Sequence, residues 1–419
     1  MRRRSLLSLL SVLTTGFAPP HAVPWAVVPW AVVPRAAVAQ TIVLVLLDGF
    51  RADYIDRPGA VRLRVLAARG VRSERLVPSF PSKTFPNHYS IVTGLYPEHH
   101  GIVANSMRDS VLGKFAIGAD PSVRDGRWWF GEPIWVTAEK QHVRTAPNFW
   151  AGSEASIGGV RPSWYSRYDG GVSRADRVRT VLTLLALPVD SAPRLVTAYF
   201  SDVDDAGHKF GPRAPQTDSA IARVDSAVGA LVDGIARLGI ASRVNVVVVS
   251  DHGMADVSAD RLVFLDDYVS LDSLDVVDWT PVAAIAPKPG REGYVYSHLV
   301  GANSHLAVYR KADVPVRLHF NSGSRITPVV AIAEEGWTIT SHPQAGRTPP
   351  GWRGGAHGYD NLLPSMGALF IANGPAFREG LVVPPFQNVH LYSLFAKVLG
   401  LTPAQTDGSL DSVRVFLRR

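Results

Sequence analysis

The sequence predicts an α/β fold, with a central, mostly parallel sheet flanked by helices and a smaller subdomain inserted late in the chain. Three observations lead there. Several continuous apolar runs, rich in β-branched residues, have the character of strands buried on both faces, as a parallel sheet covered by helices requires. Segments of helical character lie between those runs, so strand and helix alternate. Acidic and histidine residues follow the runs directly, at the strand ends where open α/β sheets gather their ligands.

The 419 residues suffice for one large domain or two ordinary ones, and 46% hydrophobic with 19% charged residues is a globular composition. The formal charge of +7 shrinks on inspection. Arg2, Arg3, Arg4 and Arg35 lie in the first 39 residues, which hold no acid; without them 39 basic side chains face 36 acidic ones, or +3. That balance gives no basic-patch signal for nucleic-acid binding. The absence of cysteine excludes disulfides and thiolate metal sites.

Taken in order, residues 1–39 read as a cleavable export signal: a charged start, an apolar core at 6–13, and Ala37-Val38-Ala39 before Gln40 as a small-x-small cut site. Periplasmic or secreted placement follows as the expectation. The repeated Val-Pro-Trp-Ala-Val at 23–27 and 28–32 places prolines where a membrane helix would need an unbroken ladder, and an uncleaved anchor is the alternative. From residue 40 to 419 a single domain is expected. Residues 41–47 form its first strand, 195–200 and 244–250 have the same character, and 368–372 is a weaker fourth. Helices are expected at 62–69, 175–187, 217–238 and 391–399. Residues 106–170, rich in Gly, Trp and Tyr, read as loops and short elements, and about 255–350 as the inserted subdomain.

Thr84 lies between prolines in Pro81-Ser82-Lys83-Thr84-Phe85-Pro86-Asn87-His88. A threonine hydroxyl is a weak nucleophile at neutral pH and needs a base or a metal to form its alkoxide. Six other side chains supply metal-ligand chemistry. Asp48 closes the first strand, and Asp251-His252 follow the third. Asp204 and His208 are four apart, on one face if the segment is helical. His357 stands after Gly354-Gly355-Ala356, where glycines let the backbone approach a ligand closely. Any one of these is more often a cap or a hydrogen-bonded structural residue. As a set they divide into Asp204, His208 and His357, and Asp48, Asp251 and His252 with Thr84. Nitrogen and oxygen donors without sulfur suit zinc, and a pair of zinc ions could clamp an in-line displacement at phosphorus.

The motifs around these residues resemble the nucleotide pyrophosphatase/phosphodiesterase family of the alkaline phosphatase superfamily. The matching stretches are Val45–Arg51, Phe80–Tyr89, Thr93–Pro97, Gly101–Asn105, Tyr199 to Pro212, Ser250–Met254 and Gly355–Asn361, in the family's order over nearly the whole mature chain. The resemblance implies an alkaline-phosphatase-like fold in a bacterial exported member. It also implies a two-zinc hydrolase that cuts phosphodiester or pyrophosphate bonds of nucleotides to release nucleoside monophosphates. Thr84 would be the covalent nucleophile, activated by the zinc of Asp48, Asp251 and His252. The zinc of Asp204, His208 and His357 would serve the leaving oxygen and then the water that cleaves the phosphothreonine. Asn105 would hydrogen-bond a phosphoryl oxygen. Phe85 and Tyr168, with Tyr165 as a weaker candidate, would sandwich the base; Tyr199 and Lys83 complete the expected substrate contacts. One departure stands out: Ser201-Asp202-Val203-Asp204 replaces the Glu-Glu-Pro-Asp common in animal members, so the loop before Asp204 is expected to differ.

Three alternatives stay open at this stage. A choline-lipid or headgroup phosphodiesterase would need an aromatic cage, for which Trp128, Trp129 and Trp164 are candidates. A phosphomonoesterase would need an arginine clamp, for which Arg51 and Arg108 are candidates. A non-catalytic binding protein of the same fold is disfavoured by the intact nucleophile and ligand set.

Overall fold

A computed structural model describes residues 40–118, 121–347 and 349–418; the expected export signal at 1–39 lies outside the described residues. In chain order the framework consists of β1 (Thr41–Leu47), α1 (Val61–Ala68), β2 (Val71–Ser73), α2 (Thr84–Thr93), α3 (Ile134–Lys140), β3 (Thr145–Ala146), α4 (Arg174–Leu185), β4 (Leu195–Phe200), α5 (Asp202–Phe210), α6 (Pro215–Arg237) and β5 (Val244–Val249). Next come β6 (Ala255–Ser258), β7 (Leu274–Asp278), β8 (Val282–Pro287), β9 (Leu306–Arg310), β10 (Val329–Ala333), β11 (Arg353–Ala356), β12 (Phe370–Asn373), β13 (Leu381–Val383) and α7 (Leu391–Leu399).

The seven-stranded central sheet has the order β13-β2-β12-β5-β1-β4-β3. β1 pairs in parallel with β4 and β5, matching Ile42 to Leu195 and Thr41 to Val244. Every residue of β1 is buried, and the period of two explains how. Ile42, Leu44 and Leu46 face a core shared with Tyr89 and Ile91 of α2, Trp135 of α3 and Leu394 of α7. Val43, Val45 and Leu47 face a second core shared with Leu63 of α1, Val178 of α4 and Val224 of α6. Each such side chain stabilises the fold by about 1.5–3 kcal/mol on leaving water. A continuous apolar run is therefore the pattern this position demands.

Three expectations need adjustment. The fourth expected strand is Phe370–Asn373, not 368–372, and it runs antiparallel to both β5 and β2, so the sheet is mixed. The 106–170 stretch contains α3 and the edge strand β3. α3 is rich in β-branched and aromatic residues of modest helix propensity, and β3 has only two residues, too few for a period to show. The helix expected at 217–238 begins earlier because Pro215 occupies its first turn, where its missing N–H costs nothing.

Between β5 and β11 lies a separate antiparallel sheet of order β7-β8-β10-β9, with its own apolar core around Ile285, Val295 and Val329. Among the described residues no helix is long and apolar enough to cross a membrane.

Candidate active site

Thr84 is the first residue of α2, so its hydroxyl sits where unpaired helix N–H groups give a positive end. The loop leading to it is shaped by Asn87, which is completely buried. Its amide nitrogen lies 3.2, 3.0 and 2.8 Å from the carbonyls of Ser79, Pro81 and Lys83, and its oxygen accepts Ser79 N–H and Asn388 Nδ2. Thr84 Oγ1 lies 3.3 Å from His252 Nε2.

The ligand candidates converge from strand ends. Asp48 follows β1, and Asp251 and His252 follow β5, the neighbouring strand. Gly49, at φ +65°, makes the turn after Asp48; a Cβ there would lie 2.9 Å from Asp204 Cα, so only glycine lets the two segments close up. The segment 202–210 is the helix α5, and Asp204 and His208 share one face of it, 3.4 Å apart between Oδ1 and Nε2. Gly354 and Gly355 have a different role from the one expected. Added Cβ atoms would lie 2.4 and 2.6 Å from the carbonyls of His208 and Gly207, so these glycines let β11 lie against α5 and deliver His357.

All three imidazoles are oriented alike. Nδ1 of His208, His252 and His357 lies 2.9 Å from the carbonyls of Gly355, Gly253 and Ser82 respectively. A carbonyl only accepts, so Nδ1 carries a proton, and in the neutral ring Nε2 presents its lone pair to the centre. There His357 Nε2 lies 3.1 Å from His208 Nε2 and 3.7 Å from Asp204 Oδ1, while His252 Nε2 lies 3.4 Å from Asp48 Oδ1 and 3.2 Å from Asp251 Oδ2. Asp48 Oδ1, Asp204 Oδ1 and Asp251 Oδ2 are buried with no hydrogen-bond partner among the described residues. Lone pairs facing each other and orphaned carboxylate oxygens form the arrangement that cations stabilise.

The tightest groupings are Asp48, Asp251 and His252, and Asp204, His252 and His357, each with ligand atoms within 4.8 Å of one another. His252 thus sits between the two halves, its ring stacked 3.5 Å from that of His357, and His208 closes the outer side. Ionisation follows the crowding. Burial first, then Asp251 and Asp204, push the Asp48 carboxyl well above the usual range, and burial raises Asp204 as well. Burial alone would raise Asp251 too, but His252 and His88 together outweigh it and hold that carboxyl well below its ordinary value. Burial, aided by His252 and His208, keeps His357 neutral by depressing its pKa far below the usual imidazole range. These donors fit divalent cations.

The cluster opens on a cleft of about 480 Å³ lined by Thr84, Phe85, His88, Phe149, Glu154, Arg167, Tyr168 and Tyr199, among others. Phe85 and Tyr168 both border it, and Tyr199 donates its hydroxyl to Asp48 Oδ2 at 2.6 Å. Asn105 Oδ1 accepts the Phe85 N–H at 3.0 Å, which fixes the amide and leaves Nδ2 for another acceptor.

Other candidates lie elsewhere. Lys83 is buried and bonded at 2.6 Å to Asp278, so its charge is engaged away from the cluster. Tyr165 is outside the cleft lining, beside Arg161. Trp128 and Trp129 are core residues and Trp164 packs on the second core, so they form no aromatic cage in the cleft. Arg51 bonds Asp53 and the Met254 carbonyl, and Arg108 bonds Asp275; neither lines the cleft. In the stretch that departs from the animal pattern, Asp202 opens α5 and bonds Arg174.

Sequence reasoning did not assign His88, Phe149, Glu154 or Arg167. His88 Nε2 lies 3.5 Å from Asp251 Oδ2, with its ring between Trp150 and Tyr199. Phe149 has φ +58°, rare for a side-chain-bearing residue, and comes from an irregular segment with no period to read.

An α/β sheet that gathers carboxylates and imidazoles around a helix-borne threonine defines a class of hydrolytic enzymes. Residues 42–360 match the family model described as type I phosphodiesterase / nucleotide pyrophosphatase, and the chain belongs to that family of enzymes. It is similar to bis(5'-adenosyl)-triphosphatase enpp4 of Mus musculus, 40% identical over 90% of this chain and 82% of the relative. A pyrophosphatase/phosphodiesterase of Schizosaccharomyces pombe is likewise 40% identical over 90% of this chain and 80% of its own. Murine ectonucleotide pyrophosphatase/phosphodiesterase 5, solved as an inactive variant in complex with AMP, superposes with a TM-score of 0.85 at 35% identity, covering 90% of this chain and all of that one.

Proposed function

We propose that this enzyme hydrolyses phosphodiester or pyrophosphate bonds of nucleotides with two zinc ions, releasing nucleoside monophosphates through a covalent phosphothreonine that still carries the nucleoside. The observation that carries the reading is the placement of Thr84 Oγ1 at the start of α2, 3.3 Å from His252 Nε2, between the orphaned carboxylates and an aromatic cleft. The AMP bound to the murine relative, and the dinucleotide substrate in the name of the other, support a nucleotide as the small-molecule substrate.

Asp48, Asp251 and His252 would hold one zinc beside Thr84, and Asp204, His208 and His357 the other. When bound, such cations supply the positive charge that favours the Thr84 alkoxide, the departing oxygen and an ionised water. The chain's own groups do the rest. Tyr199 fixes Asp48 through Oδ2, and the Nδ1–H bonds hold each imidazole in one tautomer. Thr84 Oγ1, its proton passed to solvent, attacks phosphorus, forming an O–P bond as the bond to the leaving oxygen breaks; water then cleaves the Thr84–nucleotide phosphodiester, releasing the nucleoside monophosphate and restoring the Thr84 hydroxyl. Asn105 Nδ2 donates to a phosphoryl oxygen as charge builds up, aided by the N-terminal end of α2. Phe85 and Tyr168 take the base between them.

Residues 40–419 would act as one catalytic domain with its insert at about 255–350. As in a bacterial exported protein, residues 1–39 would direct it to the periplasm or beyond. N-terminal sequencing of secreted material should begin at Gln40; a start at Met1 would contradict cleavage.

The decisive assay compares a nucleoside 5'-p-nitrophenyl phosphate, p-nitrophenyl phosphorylcholine and p-nitrophenyl phosphate. The nucleoside diester should be turned over most efficiently, and preference for either of the others would overturn the substrate class. Exhaustive chelation should abolish turnover and zinc restore it; activity that survives chelation would remove the metals from the mechanism.

A further inference from the structure

We propose that Arg177 is a positioning residue that selects for substrates bearing a nucleobase, by setting and polarising the aromatic wall of the cleft from behind. This rests on the nucleotide reading above. Arg177 lies in the first turns of α4 and is 8% exposed. Its guanidinium donates to three backbone carbonyls: Nε to Val172 at 3.0 Å, one terminal nitrogen to Tyr199 at 2.7 Å and the other to Asp169 at 3.2 Å.

Among the described residues it forms no ion pair with a carboxylate. Instead its central carbon stands 4.9 Å from the ring centre of Phe149 and 5.9 Å from that of Tyr168. A buried cation without a counter-charge is costly, and a cation near a helix N-terminus opposes the helix dipole as well. Its three carbonyl bonds offset part of that cost and place the charge beside the rings.

Its surroundings give a reason for the charge. Phe149, Tyr168 and Tyr199 form an edge-to-face series, with centroids 5.6 Å apart for the first pair and 5.8 Å for the second. All three border the cleft that holds Thr84. Arg177 does not; it lines a second cavity of about 270 Å³ that shares Phe149, Arg167 and Tyr199 with the cleft. The three carbonyls it grips bracket the turn after Tyr168 and the end of β4, so one planar group ties both sides of the wall. Its charge also draws electron density toward the ring faces nearest to it, which favours stacking of a polar heteroaromatic base on the cleft side. A lysine cannot serve three carbonyls with one fixed fork.

The test uses the full chain, loaded with zinc, and two diesters with the same leaving group: a nucleoside 5'-p-nitrophenyl phosphate and methyl p-nitrophenyl phosphate. Arg177→Met should raise KM for the nucleoside ester about tenfold at nearly constant kcat, while kcat/KM for the methyl ester stays within about twofold. Arg177→Lys should fall between Met and wild type. Equal losses on both esters would mark Arg177 as merely structural, and no loss on either would remove its role; both results overturn the proposal. Should Arg177→Met fail to fold, Arg177→Lys is read alone, and an unchanged nucleoside-to-methyl ratio there is equally fatal. Failure of the nucleotide reading shows separately, as wild-type enzyme that turns over both esters equally well or neither.

Discussion

The ligand cluster and the aromatic wall of the same cleft are built in different ways. Asp48, Asp251 and His252 are fixed by adjacent parallel strands, and each imidazole is locked by a backbone carbonyl. Apart from Tyr199 on β4, the wall and its neighbours Phe149, Glu154, Arg167 and Tyr168 come from segments with little regular structure, and Tyr168 is 51% exposed. The first region has almost no freedom to vary without losing its geometry. The second can change residue by residue while the chemistry persists. The cluster is thus held by regular elements, and much of the cleft wall by irregular ones.

Substitutions can break that division or sharpen it. The largest effect is expected at the proposed nucleophile, where Thr84→Ala should lower kcat about 10⁴-fold or more while metal analysis still finds zinc bound. Substantial residual turnover would dissolve the distinction. Next is Asn87→Ala, which frees the loop before Thr84; kcat should fall about a hundredfold for every diester, nucleoside or not, with KM little changed. A selective loss on nucleoside esters would instead assign Asn87 to the wall. Phe85→Ala should raise the nucleoside-ester KM about tenfold, a stacking contribution lost, and leave kcat nearly intact. An unchanged KM takes Phe85 out of the base site. The smallest effect belongs to Tyr165→Ala, outside the cleft, where both constants should stay within about twofold.

The same contrast explains what was legible in the sequence. Parallel strands buried on both faces announce themselves as apolar runs, and ligand residues at their ends inherit that clarity. Asp204 and His208, four apart after a strand end, give a weak signal by themselves that gains weight only beside the other ligand candidates. The roles of Gly354 and Gly355 were not legible, because the partner they approach, the backbone of α5, is some 150 positions away in the chain. Lys83 illustrates the opposite hazard. Beside a nucleophile it reads as a substrate contact, yet β7 of the distant insert supplies Asp278 to engage it. Phe149 and Arg177 carried no local signal, one being in an irregular stretch and the other resembling any helix-surface arginine.

The central claim, covalent catalysis at Thr84, is tested most directly by quenching the zinc-loaded enzyme in acid during turnover of a nucleoside 5'-p-nitrophenyl phosphate and measuring the mass of the Thr84 peptide. The expected result is a fraction of that peptide carrying one added nucleoside monophosphate group, absent from Thr84→Ala. Steady product release with the Thr84 peptide unmodified, together with turnover by Thr84→Ala, would contradict it.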